Sequence, residues 1–211
     1  MKVLNLYAGI GGNRKLWENV EVTAIERDVK IAQIYKENNP DDEIEICDAH
    51  YILRTQAHKF DFVWSSPPCQ SHSRMVKATR HELRLYPDLK LYEEIIFLQH
   101  FFKGKWVVEN VSPYYKPLIK PTTIIGRHLF WANFEIPFKR FGNHTNFIKA
   151  DSPEEIESIK KWLGINYTGN VYYETNHSPG QILRNCVHPE IGLYILDCAR
   201  GKYEPKQQIL L

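Results

Sequence analysis

Lys2-Val3-Leu4-Asn5-Leu6-Tyr7-Ala8-Gly9-Ile10-Gly11-Gly12 decides the architecture. A short apolar run ends in a turn with three glycines, and Asn13 to Asn19 then reads as a helix. A strand that feeds a glycine turn and opens a helix is the first half of a βαβ unit. The pattern recurs downstream. Glu21 to Glu26 reads as a second strand, followed by a helix from Asp28 to Asn38 with Asp28 as its N-cap. Glu43 to Asp48 reads as a third strand, Phe60 to Ser65 as a fourth and Trp106 to Val111 as a fifth. Leu89 to Phe102 carries helical periodicity. Strands alternating with helices predict an α/β fold with a doubly wound, mostly parallel sheet.

The character changes after about Phe134. Prolines, glycines and aromatics surround one amphipathic helix, Pro153 to Leu163, capped by Ser152. From Ser178 a helical pattern resumes, with Ile191, Ile195, Leu196 and Ala199 on one side. The expected organisation is a main domain over 1–134, a small inserted lobe over 135–177, and a return to the main domain over 178–211.

The 211 residues suffice for one good hydrophobic core. A net charge of +2 does not by itself argue for a nucleic-acid partner. The four cysteines, Cys47, Cys69, Cys186 and Cys198, form no C-x-x-C pair, so neither a disulfide framework nor a metal site is expected. No apolar run reaches the roughly 18 residues of a membrane span, and the amino-terminal residues do not read as a signal peptide. A monomer in a reducing cytoplasm is the expectation.

Three features at successive strand ends point to a nucleoside-containing cofactor. The glycine turn lets backbone approach a ligand closely. Glu26 ends the second strand, where an acid accepts hydrogen bonds from ribose hydroxyls. Asp48 ends the third, within reach of an adenine amino group. Each acid alone reads more readily as a solvated strand end; the three together reverse that. This spacing fits a dinucleotide as well as S-adenosylmethionine.

Two further strand ends carry chemistry. Ser66-Pro67-Pro68-Cys69-Gln70 follows the fourth strand. Each proline fixes its own φ and biases the residue before it toward extended geometry, so the thiol sits on a rigid mount. Val107-Val108-Glu109-Asn110-Val111 forms the fifth strand. Neighbouring strand ends bring Cys69 and Glu109 to one cleft. The bland reading, a structural cysteine and a surface glutamate, fails to explain why both motifs stand behind a nucleotide-type turn.

With these motifs in this order the chain resembles the DNA (cytosine-5) methyltransferases over most of its length. Asn5 to Gly12 looks like the cofactor motif, Ser66 to Gln70 like the nucleophile motif, and Glu109-Asn110-Val111 like the motif that grips the target base. Thr123-Ile124-Ile125-Gly126-Arg127-His128-Leu129-Phe130-Trp131 resembles the arginine-bearing strand. Leu183-Arg184-Asn185-Cys186-Val187-His188-Pro189 resembles the closing motif beside the cofactor. The resemblance implies a Rossmann-like S-adenosylmethionine-dependent fold and a methyl group transferred to carbon 5 of cytosine in double-stranded DNA. It implies Cys69 as nucleophile, Glu109 as acid toward ring nitrogen 3, and Arg127 as electrostatic stabiliser of the ring oxygen. Cofactor contacts would fall to Tyr7, Ala8, Gly9, Gly11, Gly12, Glu26, Asp48, Pro67, Asn185 and Val187. DNA contacts would fall to Gln70, Ser71, His72, Arg74, Lys77, Arg80 and Asn110, with His81 and Arg84 in the same basic stretch. The target base would be flipped out of the duplex.

The chain departs from the pattern in places. Asn5 and Tyr7 replace Asp and Phe in the opening motif. The arginine strand, which normally carries two arginines one residue apart, here has Arg127-His128, leaving Arg127 or His128 to meet the base. The closing motif has Arg184, Cys186 and His188 at its altered positions. The region available for target recognition is short, with Lys139, Arg140, Asn143, His144, Asn146, Lys149, Lys160 and Lys161 as basic and polar candidates. A short or degenerate recognition site follows, as in compact phage or mobile-element enzymes.

Rival readings are an RNA cytosine-5 methyltransferase and a catalytically silent DNA-binding relative. Cys69 and Glu109, both present, speak against the second. A zinc base deaminase needs a second cysteine three positions after the first, and position 72 is His. A NAD enzyme has no use for the paired Pro-Pro-Cys and Glu-Asn-Val motifs. A lone modifier, half of a restriction-modification system and a phage self-protection enzyme read alike.

Overall fold

The computed structural model describes residues 1–74, 86–142, 144, 152–172 and 178–203. Among them, seven strands form one sheet: β1 (Lys2–Leu6), β2 (Glu21–Ile25), β3 (Glu43–Glu45), β4 (Phe62–Ser65), β5 (Lys105–Val111), β6 (Thr123–Ile125) and β7 (His128–Ala132). Their order is β3-β2-β1-β4-β5-β7-β6. The first five run parallel, and β7 runs antiparallel to β5 and β6. The chain steps from β1 outward to β2 and β3, then returns to the other side of β1 for β4. This reversal opens a crevice at the carboxyl ends of β1 and β4, where open α/β sheets take ligands.

Alternation along the strands builds two cores. Val3, Phe62, Trp64, Val107 and Phe130 point to one face, where Ile191, Ile195 and Leu196 cover them. Leu4, Leu6, Val63, Val108, Leu129 and Trp131 point to the other, beneath Ile52, Leu53, Leu91, Ile95 and Leu98. With both faces covered, strands read as nearly continuous apolar runs. The helices are α1 (Val29–Asn38), α2 (Ala49–Gln56), α3 (Lys90–Phe101), α4 (Pro153–Leu163), α5 (Gln181–Arg184) and α6 (Pro189–Ala199). Asp28 caps α1, accepting from the N–H groups of Lys30 and Ile31 at 2.9 and 3.1 Å. Ser152 and Glu155 form a capping box on α4, with Pro153 in its first turn.

Several expectations need correction. Asn13 to Asn19 is a run of turns closed by i to i+3 bonds, not a helix. Arg14 turns inward to clasp Asp42 through two bonds of 2.8 Å, and Trp17 is drawn into the core. The face such a helix would cover is taken by α6. Gly192 lies so close to Asn13 that a Cβ would stand 2.0 Å from its carbonyl oxygen. The third strand stops at Glu45, and Asp48 instead caps α2, accepting from Tyr51 N–H at 2.8 Å. The arginine strand is a hairpin: Ile125 pairs with His128, leaving Gly126-Arg127 as a two-residue turn with Gly126 at φ +59°.

The described part of the expected lobe packs onto the body of the fold. On α4, Ile156, Ile159 and Leu163 share a cluster with Ile31 and Ile34 of α1 and with Ile10 of the glycine turn. Asn38 and Asn166 exchange hydrogen bonds of 2.8 and 3.1 Å. Pro137 accepts from the Tyr194 hydroxyl at 2.6 Å.

Candidate active site

A cavity of about 490 Å³ runs along the carboxyl ends of β1, β2, β4 and β5. At one end the turn after β1 is shaped by three backbones in the left-handed region, Tyr7 (φ 56°), Gly9 (φ 55°) and Gly11 (φ 86°). Gly9 borders the cavity with open space where a Cβ would stand. Gly12 lies against the segment after α5, where a Cβ would meet Cys186 Cβ at 2.7 Å and the Val187 carbonyl at 2.8 Å. Gly11 turns away, against Asn39 and Tyr35.

Glu26 stands one residue past β2. Its two carboxylate oxygens accept from Gly9 N–H and Asp28 N–H, both at 3.0 Å. Burial pushes its carboxyl up, and the backbone N–H donors hold it down. It therefore fixes the glycine turn while keeping lone pairs for a ligand. Tyr7, Ala8, Asp48, Pro67, Asn185 and Val187 also line this cavity. The acids match the hydroxyl and amino donors of an adenosine group, and Gly9 gives the close approach. The residues present thus fit S-adenosylmethionine.

At the other end, Cys69 follows β4 on a loop held from several sides. Asn110 donates to the Pro67 carbonyl at 2.9 Å, and the Cys69 carbonyl accepts from His72 and Ser73 N–H. Burial, then the nearby Glu109 charge, push the thiol up to about 11, against a lowering by Arg127. Glu109 lies on β5, 5 % exposed, with Oε1 2.5 Å from His128 Nδ1. Arg127 reaches from its turn to donate to the Arg184 carbonyl, and burial pulls its guanidinium below its ordinary value. Cys69, Glu109, Arg127 and His128 thus face one pocket.

Several residues expected at DNA make hydrogen bonds within the fold. Asn110 is 2 % exposed and its amide holds the nucleophile loop. His72 is 1 % exposed and bonded through Nδ1 to the Tyr115 hydroxyl at 2.6 Å, and burial lowers its imidazole below its ordinary value. Ser71 Oγ accepts from Asp88 N–H at 2.9 Å. Gln70 is exposed at the cavity rim, and exposed Arg74 donates to the Pro113 carbonyl at 3.3 Å. Lys160 is buried, donating to the Tyr167 carbonyl at 2.9 Å and to Glu157 at 2.6 Å. His144 reaches Ser158 Oγ at 3.0 Å, and Lys139 lies over the Phe141 and Tyr194 rings at 5.2 and 5.0 Å. Arg140 and Lys161 are exposed. Lys77, Arg80, His81, Arg84, Asn143, Asn146 and Lys149 lie outside the described residues.

Sequence reasoning missed one hub. Glu94 on α3 is fully buried and accepts from Tyr7 Oη at 2.5 Å, Ser65 Oγ at 2.5 Å and His50, whose Nδ1 lies at 3.1 Å. It ties β1, β4 and α2 together beneath the cavity. Burial and Glu94 push the Tyr7 hydroxyl far up, keeping it a donor. Among the described residues no helix is long and apolar enough to cross a membrane. No group of three His, Cys, Asp or Glu side chains among them stands where it could hold a metal ion.

The sheet and its cleft define the class: a Rossmann-like methyltransferase fold with S-adenosylmethionine as cofactor. The model of the family "C-5 cytosine-specific DNA methylase" matches residues 1–117, and the chain belongs to that family. None of the curated proteins matches. The structure of the Entamoeba histolytica methyltransferase EhMeth is similar in fold. It is 13% identical, with TM-score 0.55, and the match covers 97% of this chain and 99% of that one. A DNMT2 variant from Spodoptera frugiperda is 25% identical, with TM-score 0.36, over 52% of this chain and 35% of that one. A putative DNA modification methyltransferase encoded within an E. coli prophage is 19% identical, with TM-score 0.37, over 55% and 33%. The chain thus spans about a third of the length of the last two.

Proposed function

We propose that this protein methylates carbon 5 of cytosine in DNA through a covalent bond from Cys69 to carbon 6 of a flipped-out base. One observation carries the reading: Cys69, Glu109 and Arg127 border one end of the cavity whose other end is the glycine turn with Glu26. Bound S-adenosylmethionine supplies an electrophilic methyl group. Carbon 5 is a poor nucleophile until a thiolate adds to carbon 6, so the chain's task is to deliver that thiolate.

Burial and the Glu109 charge hold the Cys69 thiol up at about 11, which favours the protonated form in the free protein. Substrate binding is then the switch that favours the thiolate. Glu109 is part of that switch. Its charge raises the thiol in the free protein; engaged with a protonated ring nitrogen 3, it no longer opposes the thiolate. Arg127 favours the thiolate and the developing charge on the ring oxygen. Asn110 keeps the loop in register by holding Pro67. Gln70 and Arg74, with Lys77 and Arg80, would meet the DNA. The remaining target contacts would come from residues 135–177, giving a short recognition site.

The test is expression in a host without cytosine methylation, followed by bisulfite sequencing of its DNA and RNA, with Cys69→Ala alongside. Methylated DNA cytosines that vanish in the variant are expected. Methylation confined to RNA replaces the substrate and keeps the chemistry. Absence from both, in protein that binds S-adenosylmethionine, overturns the reading.

A further inference from the structure

We propose that His128 is the proton partner of Glu109, so that a His128–Glu109 pair, rather than Glu109 alone, protonates nitrogen 3 of the target cytosine; this rests on the cytosine reading above. His128 opens β7 and pairs in register with Val111, while Glu109 pairs with Phe130. His128 is thus the diagonal neighbour of Glu109 on the same face of the sheet. Its Nδ1 stands 2.5 Å from Glu109 Oε1, and the two residues are 6 % and 5 % exposed. A contact this short between an imidazole nitrogen and a carboxylate oxygen is a hydrogen bond along which a proton can pass. Both side chains border the cavity that Cys69 borders.

The surroundings leave the pair as the proton store of this pocket. Cys69 faces it from the loop after β4, and Arg127 from the hairpin turn. Cys186 and Arg184, near Arg127, border the same cavity. The Phe130 ring, 6.3 Å from the imidazole, contributes no proton. An arginine in place of His128 would be permanently charged and would have no proton to give at neutral pH; a histidine can give one and take it back.

The Cys69 thiol proton leaves to water, and Sγ bonds to carbon 6. The carbon 5–carbon 6 electron pair shifts into the ring, and nitrogen 3 takes the proton held by the pair. Carbon 5 takes the methyl group as the methyl–sulfonium bond of S-adenosylmethionine breaks and leaves S-adenosylhomocysteine; the carbon 5 hydrogen then leaves to water and the Sγ–carbon 6 bond breaks. Nitrogen 3 then returns its proton to the pair, and Cys69 regains one from water. One proton is released per turnover. His128 acts through Glu109 and is a positioning residue.

Exchange of the cytosine carbon 5 hydrogen with deuterated solvent reads the addition step without methyl transfer. It would be measured on a cytosine oligonucleotide with S-adenosylhomocysteine bound, between pH 6 and 9, for wild type, His128→Asn and His128→Arg. Exchange should fall about 100-fold in both variants. The pH profile of exchange should differ between wild type and His128→Asn, and S-adenosylhomocysteine affinity should stay within about twofold. Wild-type exchange and pH profile in His128→Arg would show that only a charge is needed and overturn the proposal. So would an unaltered profile in His128→Asn, or loss of S-adenosylhomocysteine binding in both variants, which marks a structural role. No exchange by wild type on either DNA or RNA would instead sink the underlying cytosine reading.

Discussion

At the cofactor end of the cleft, Glu26 and Asp48 direct their carboxylates to backbone N–H groups; at the target end, Glu109 directs its carboxylate to an imidazole. One crevice thereby serves two purposes. Acids held by backbone are placed by the fold and keep their geometry whatever is bound. An acid held by another titratable side chain can change its proton content within a catalytic cycle. Binding needs the first kind, and proton transfer needs the second.

The largest effect is expected at Cys69. Cys69→Ser should lower methyl transfer below detection while leaving S-adenosylmethionine affinity within about twofold, checked by radiolabel transfer and calorimetry. Glu109→Gln should cut transfer by about 100- to 10,000-fold, again with the cofactor bound normally. The same variant sharpens the electrostatic claim. Removing the Glu109 charge lowers the Cys69 thiol from about 11. Iodoacetamide should then modify Cys69 faster at pH 8 than in wild type, whose rate keeps climbing toward pH 11. An equal rate would show that Glu109 does not oppose the thiolate.

Glu26→Gln tests the other end. Loss of a charged acceptor for Gly9 and Asp28 N–H costs about 1.5–3 kcal/mol of local order. S-adenosylmethionine affinity should drop by about tenfold or more by calorimetry, with little change in turnover at saturation. A change in turnover alone would place Glu26 in the chemistry instead.

Glu94→Gln gives the smallest effect on catalysis and reads on stability. Glu94, chiefly by its hydrogen bond, raises the His50 imidazole above its ordinary value. A raised histidine stabilises the fold fully below its unfolded value of about 6.5 and loses that contribution as pH rises through the folded value. The variant should therefore melt below wild type by a wider margin at pH 6 than at pH 9. Equal margins would mean that His50 carries no part of the linkage.

The cofactor end was the more legible half of the sequence, and the reason is physical. Turn and cap signals live in backbone chemistry that neighbouring residues specify. Gly9, Gly11 and Gly12 announce a left-handed turn, Asp28 announces a cap, and Pro67-Pro68 announces a rigid mount for Cys69. What depends on contacts across the chain was hidden. Glu94 follows Glu93, and an acidic pair on a helix reads as a solvated face until β1, β4 and α2 close over one member. Lys160 and His72 read as cations for DNA until Tyr167 and Tyr115 are seen to take them. Asn13 to Asn19 has the composition of a helix, but α6, nearly 180 residues away in sequence, occupies that face. The hairpin at Gly126-Arg127 was hidden as well, because Gly-Arg is not among the dipeptides that mark a two-residue turn; only the pairing of Ile125 with His128 reveals it.

The covalent role of Cys69 is tested most directly by incubating the protein with S-adenosylmethionine and a DNA duplex carrying 5-fluorocytosine, whose carbon 5 substituent cannot leave as a proton. The expected product is a denaturation-resistant adduct whose mass equals protein plus DNA plus one methyl group, with the link mapped to Cys69 and absent in Cys69→Ser. Methylated 5-fluorocytosine DNA free of protein, or an adduct of undiminished yield in Cys69→Ser, would contradict the account.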